Sequence, residues 1–236
     1  MVSNNVAQEV SRSLVGGGRR MAAQSASQAD RAATAVSKMA GDTRIAARVD
    51  AQAASVLDGV QNAWNNLKTA SGQVRLWEKK GYATRDQSAD FAWAKPNHLR
   101  VDALGTTAVY NGGDTIQARM FFFTQSVSLD SPLATSLRGY RVNQTDLRSL
   151  FTALLDPQTT VRYAGTATVD NKAAHLLELG NVDRMLPGIQ KATVAIDQKT
   201  SMPLRFEGSD GQEVVYRSEL TGLKVNPKLA SGTFEV

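Results

Sequence analysis

The chain has 236 residues, 42% of them apolar, and a formal net charge of +5 at pH 7. That is enough for one sizeable core. The basic residues are scattered among acidic neighbours and not gathered into a nucleic-acid arm, though their sign favours anionic surfaces such as lipid headgroups. The absence of cysteine excludes disulfides, thiolate chemistry, Cys-ligated metals and acylation at a lipobox. No apolar run approaches the roughly 20 residues of a membrane-spanning helix.

Residues 1–49 are rich in Ala, Ser, Gln and Arg and are broken by Gly16-Gly17-Gly18. Val36, Met39 and Ile45 form no continuous stripe, so this segment buries too little to offset its ordering entropy. A flexible or marginally helical tail is expected. The alternative is a helix that docks on a partner or extends the next helix backwards. The N-terminus lacks a signal-peptide apolar region, and Arg19-Arg20 is followed by residues too polar for a twin-arginine signal. Either the protein stays in the cytoplasm or this chain lacks its export signal. Residues 50–236 are expected to form the domain proper.

From residue 50 to 68, Val56, Leu57, Val60, Trp64 and Leu67 make one helical stripe, with Ser71-Gly72 as the stop. Residues 73–78 alternate, Val74 and Leu76 opposite Arg75 and Trp77, and 82–93 returns antiparallel after Lys79-Lys80-Gly81. Lys95-Pro96-Asn97 then makes a turn. Leu99, Val101 and Ala103 face one way in the next strand, Arg100 and Asp102 the other. Thr107–Tyr110 is followed by Asn111-Gly112-Gly113, residues that accept positive φ. Residues 116–129 read as one long strand, in which Phe121 and Phe123 face one side and Phe122 the other.

The second helix is expected over 145–156, capped by Thr145 and ended by Asp156-Pro157, with Leu147, Leu150, Phe151, Leu154 and Leu155 on its apolar face. Strands follow at 159–164, 166–169, 173–179, 191–197, 204–207 and 213–220, with Asp210-Gly211 as a hairpin turn. Residues 224–227 and 232–236 are expected to add two short closing strands.

The strand, Lys95-Pro96-Asn97, Leu99-Arg100-Val101 strand and Asn111-Gly112 turn resemble the outer-membrane lipoprotein carrier family (LolA and LolB) and its lipoprotein-sorting relatives. The order continues with Ala192–Asp197, Lys199–Pro203, Asp210-Gly211 and the terminal Thr233-Phe234. The resemblance covers about residues 50–236. It implies a mainly β fold, a strongly curved antiparallel sheet forming an unclosed barrel with the two helices as a lid. It also implies a bacterial envelope or periplasmic setting, lipid or lipoprotein acyl chains as ligand, and a membrane-bound donor or acceptor as possible partner. In that family a basic residue before Pro-Asn holds the lid; the matching residue is Lys95, which lacks the bidentate reach of Arg. A plain solvated lysine is the alternative.

No catalytic constellation stands out. HExxH, Walker A, GxGxxG and nucleophile-elbow motifs are absent. His98 and His175 read as surface or hydrogen-bonded residues, and Asp86 and Asp90 as no carboxylate dyad. No cofactor, metal or nucleic acid is expected. The expected function is therefore non-enzymatic binding and transport of acyl chains. The lining expected for the cavity is Trp77, Phe91, Trp93, Val101, Tyr110, Phe121, Phe123, Leu147, Leu150, Phe151 and Leu154, with Lys95 at the lid. The rivals are an envelope-stress regulatory sensor and a structural module with a filled core.

Overall fold

The computed structural model describes residues 50–236. The tail expected over 1–49 lies outside the described residues. Helix α1 (Ala51–Asn66) leads into strand β1 (Thr69–Lys80). Asp50 caps α1 by accepting from the Ala53 amide at 2.7 Å. Its other oxygen accepts from the Tyr163 amide at 2.7 Å, tying the helix start to a distant strand. Val60 and Ala53 are fully buried, and Val56, Leu57 and Trp64 pack beside them, so the predicted stripe is the buried one.

The helix ends earlier than Ser71-Gly72, which lie inside β1. The Asn226 side chain accepts from the amides of Lys68 (2.7 Å) and Thr69 (3.2 Å) and donates to Asn66 O (3.0 Å), stopping α1 from the far end of the chain. Gly72 is required for close approach: a Cβ there would meet Thr221 O at 2.9 Å.

Five more strands form a meander with β1: β2 (Ala83–Ala94), β3 (His98–Ala103), β4 (Thr106–Tyr110), β5 (Thr115–Met120) and β6 (Phe123–Ser128). The chain then crosses over through a one-turn helix α2 (Val142–Thr145) and α3 (Leu147–Leu155). A second meander follows: β7 (Thr160–Val169), β8 (Lys172–Gly180), β9 (Lys191–Asp197), β10 (Pro203–Asp210) and β11 (Glu213–Val225). All pairings are antiparallel, in the order β6-β5-β4-β3-β2-β1-β11-β10-β9-β8-β7. The eleven-stranded sheet does not close, since β6 and β7 are its two edges. This is the expected unclosed, mainly β architecture.

Several expectations are corrected. The single strand over 116–129 is a hairpin, with Phe121-Phe122 as its two-residue turn and Phe121 at φ +51°. The two strands over 159–169 are one, bulged between Tyr163 and Gly165. Strand β11 runs on to Val225, and residues 232–236 form no strand. That last segment lies beside β3 and β4: Arg100 and Asn111 donate to the carbonyls of Thr233 (3.2 Å) and Phe234 (3.0 Å), and the Phe234 ring rests 5.3 Å from His98.

Register fixes one inner face across the whole sheet. It runs from Ile116 and Ala108 through Val101, Phe91 and Val74 to Leu220, Phe206, Val194, Leu177 and Tyr163. On the β7–β10 side this face is buried: Val161, Leu177, Leu179, Val194 and Phe206 pack with Val182, Leu186 and Ile189 of the β8–β9 connection.

Candidate functional site

On the β1–β5 side the inner face is less completely covered. A cavity of about 420 Å³ lies between it and the crossover. Its floor is Val74 and Leu76 of β1, Phe91 of β2, Leu99 and Val101 of β3, Ala108 of β4 and Ile116 of β5. Alternation along each strand presents these residues together while sending Arg75, Arg100 and Asp102 to the other face. Its roof is Leu147 and Leu150 of α3 with Ala134 and Val142 of the preceding arm.

The arm is fastened over the end of β1. The Arg138 guanidinium donates to Lys79 O (2.7 Å), Gly188 O (3.1 Å) and the Tyr140 hydroxyl (3.0 Å). Tyr140 in turn donates to Pro187 O at 2.9 Å. Glu78, fully buried, accepts from the Leu137 amide at 2.8 Å with one oxygen, and its other oxygen has no partner.

The wall also carries polar groups: Arg85, Gln87 and Ser88 of β2, and Tyr140, Thr145, Asp146, Tyr216 and Ser218. Burial pushes both tyrosine hydroxyls above their ordinary range, Tyr216 furthest. Asp146, the true cap of α3, accepts from the Ser149 amide (2.9 Å) and hydroxyl (2.6 Å). Burial nonetheless raises its carboxyl above the usual range, outweighing those bonds. Thr145, expected as the cap, ends the α2 turn instead.

Of the residues expected to line a cavity, Phe91, Val101, Leu147 and Leu150 do so. The others are placed elsewhere. Trp77 sits on the opposite face, paired in register with Asp86 and Arg217, because its parity along β1 is that of Arg75. Trp93 and Phe151 are on the inner side but sealed by Trp64, at ring distances of 5.6 and 4.9 Å. Leu154 is buried in the same core, and Tyr110 is packed inside beyond the cavity's edge. Phe121 and Phe123 stand exposed at the β5–β6 tip. Alternation alone predicted an inward ring, and the unexpected turn removed it.

Lys95 is half-buried and is not a solvated turn lysine. Its Nζ donates to Trp64 O and to Asn65 O (3.4 Å), and lies 4.4 Å from the Trp64 ring centroid. It thus closes the C-terminus of α1, a favourable place for a cation. Both histidines are hydrogen-bonded and not freely exposed: His98 to Asn111 Oδ1 at 2.8 Å, His175 to the Tyr163 hydroxyl at 3.2 Å. Asn226 and Arg138 were missed, since nothing local in the sequence marks a partner so far away. No group of acidic and histidine side chains that could hold a metal occurs among the described residues.

No family model matches the chain, and no curated protein matches it. Among solved structures it is similar to MucB at 14% identity and a TM-score of 0.45, over 79% of this chain and 63% of that one. The chain thus spans less than two-thirds of MucB. It is similar to the Mycobacterium tuberculosis lipoprotein LppX at 17% identity and a TM-score of 0.49, over 77% of this chain and 98% of that one. For a LolA superfamily protein from Nitrosomonas europaea the values are 13% and 0.37, over 78% and 97%. The resemblance expected from the sequence is one of fold. At these identities and TM-scores it says nothing of ligand or mechanism.

Proposed function

We propose that the cavity binds the acyl chain of a lipid or lipoprotein non-covalently, as a carrier or sorting protein would at a cell envelope. The observation that carries this reading is the cavity itself: about 420 Å³ with an apolar floor from five adjacent strands and a leucine roof. That volume is within the range of small-molecule sites. Each buried methylene would contribute about 0.8 kcal/mol before the cost of admitting the chain. Binding of this kind calls for no catalytic residue. In this reading α3 is the lid, and Phe91, Val101, Leu147 and Leu150 are the ligand contacts.

Native mass spectrometry of the gently purified protein is expected to show a co-purifying lipid. A Val101→Glu variant puts a charge in the middle of the floor and is expected to lose it while keeping a cooperative thermal transition. A folded variant that retains the lipid would overturn the reading.

A further inference from the structure

Both ends of α3 are tied to the β8–β9 connection. Just before its start, the Gln144 side chain donates to Met185 O at 3.4 Å. At its end, Arg184 pairs with Asp156 at 2.7 Å. Between the two ties lies a second cavity, a cleft of about 370 Å³. Leu186, Phe206 and Tyr216 form its apolar depth, and Arg148, Ser149 and Thr152 of α3 its rim. Thr145, Leu150 and Tyr216 line this cleft and the acyl cavity alike. A single layer of side chains therefore divides the two spaces.

The cleft has a different chemistry from the cavity. Two guanidinium groups line it, those of Arg148 and Arg184, and no carboxylate does. Asp156 matches the charge of Arg184. Arg148, exposed in the first turn of α3, donates to the neutral side-chain oxygen of Asn97. Its charge is felt by Asp146, but burial raises that carboxyl above its ordinary range and so limits its power to neutralise the arginine. Asn143 also lines the cleft, and its Oδ1 is shut off from solvent without a partner. A buried acceptor left unpaired is costly, and a ligand hydroxyl would satisfy it. A guanidinium at the rim suits phosphate, which it can meet through paired N–H donors.

We propose that the cleft holds the anionic, hydroxyl-bearing headgroup of the lipid whose acyl chain fills the cavity. The proposal rests on the acyl-chain reading and adds the headgroup class to it. The chain passes from one space to the other through the layer of Thr145, Leu150 and Tyr216. In that reading α3 moves to admit the chain, and Leu150 moves with it, so one motion opens both the cavity and the neck.

The test is isothermal titration calorimetry of the full chain with three probes: dodecanoyl lysophosphatidylglycerol, monododecanoylglycerol and glycerol 3-phosphate. The lysophospholipid is expected to bind about tenfold tighter than the neutral lipid of the same chain length, the gain of a charge-assisted hydrogen bond. Arg148→Gln is expected to remove this preference. Thr152→Asp, an exposed rim position given a like charge, is expected to do the same with an unchanged thermal midpoint. Val101→Glu, in the cavity floor, is expected to weaken both lipids. Equal affinity for the two lipids would overturn the proposal and leave the acyl-chain reading standing. Binding of neither lipid would overturn both. Arg85 lines the cavity itself. A preference lost in Arg85→Gln and kept in Arg148→Gln and Thr152→Asp would overturn the proposal by placing the headgroup at that wall. Glycerol 3-phosphate binding as tightly as the lysophospholipid would overturn it by making the cleft a separate site for free anions.

Discussion

Asp146 caps α3 from a buried position, and the two roles pull its ionisation in opposite directions. Ser149 favours the carboxylate and burial disfavours it; burial prevails and the carboxyl titrates above its ordinary range. A carboxyl whose folded pKa is raised holds its proton more tightly in the native state. Its favourable contribution is complete below the unfolded pKa and is lost as pH rises through the folded one. An Asp146→Asn substitution keeps a good capping side chain without the charge. Its thermal midpoint is expected to exceed that of the wild type at neutral pH, with the gap closing as the solution is acidified. A variant less stable at neutral pH would mean that the bonds from Ser149 dominate. In the sequence the cap was expected one residue earlier, at Thr145. The burial of Asp146 is a tertiary effect, which no local pattern reports.

Helix α3 is one apolar face with two duties. Phe151 and Leu154 are sealed against α1 and the sheet, while Leu147 and Leu150 roof the cavity. Phe151→Ala is expected to cost about 3 kcal/mol or more in denaturant unfolding, as large-to-small changes in a filled core do. Leu150→Glu is expected to lower acyl-probe affinity sharply and to leave the unfolding midpoint within a few degrees of wild type. A global loss of fold in the second variant would make α3 an ordinary core helix with no part in admitting a ligand. Hydrophobic periodicity made the helix and its face legible. It could not divide the face, because the division depends on Trp64, which arrives from a helix some 85 residues earlier in the chain. The β5–β6 hairpin was illegible for another reason. Its turn is Phe121-Phe122, and turn recognition rests on Gly, Asn, Asp and Pro.

At the scale of the molecule, the sheet is two meanders joined along one line, where β1 pairs with β11. Most strands of each meander were readable from alternation and turn residues, apart from the β5–β6 hairpin, which read as one strand, β7, which read as two, and the closing strand expected over 232–236. The joining of first strand to last was not, since it is a choice among edges that no local pattern makes. That line has a kinetic consequence. Every other pairing links strands adjacent in sequence, whereas β1 meets β11 across about 150 residues of chain. The loop-closure entropy of the whole domain is concentrated in this one event, so it should set the folding barrier. Leu220, buried on β11 opposite Val74, lies on the line. In stopped-flow refolding, Leu220→Ala is expected to slow folding, whereas Ile116→Val near the outer edge should mainly speed unfolding. The opposite pattern would mean that the halves meet early and mature afterwards. The last strand to leave a ribosome is thus the one that the first strand must wait for, and β1 spends synthesis with one edge unpaired.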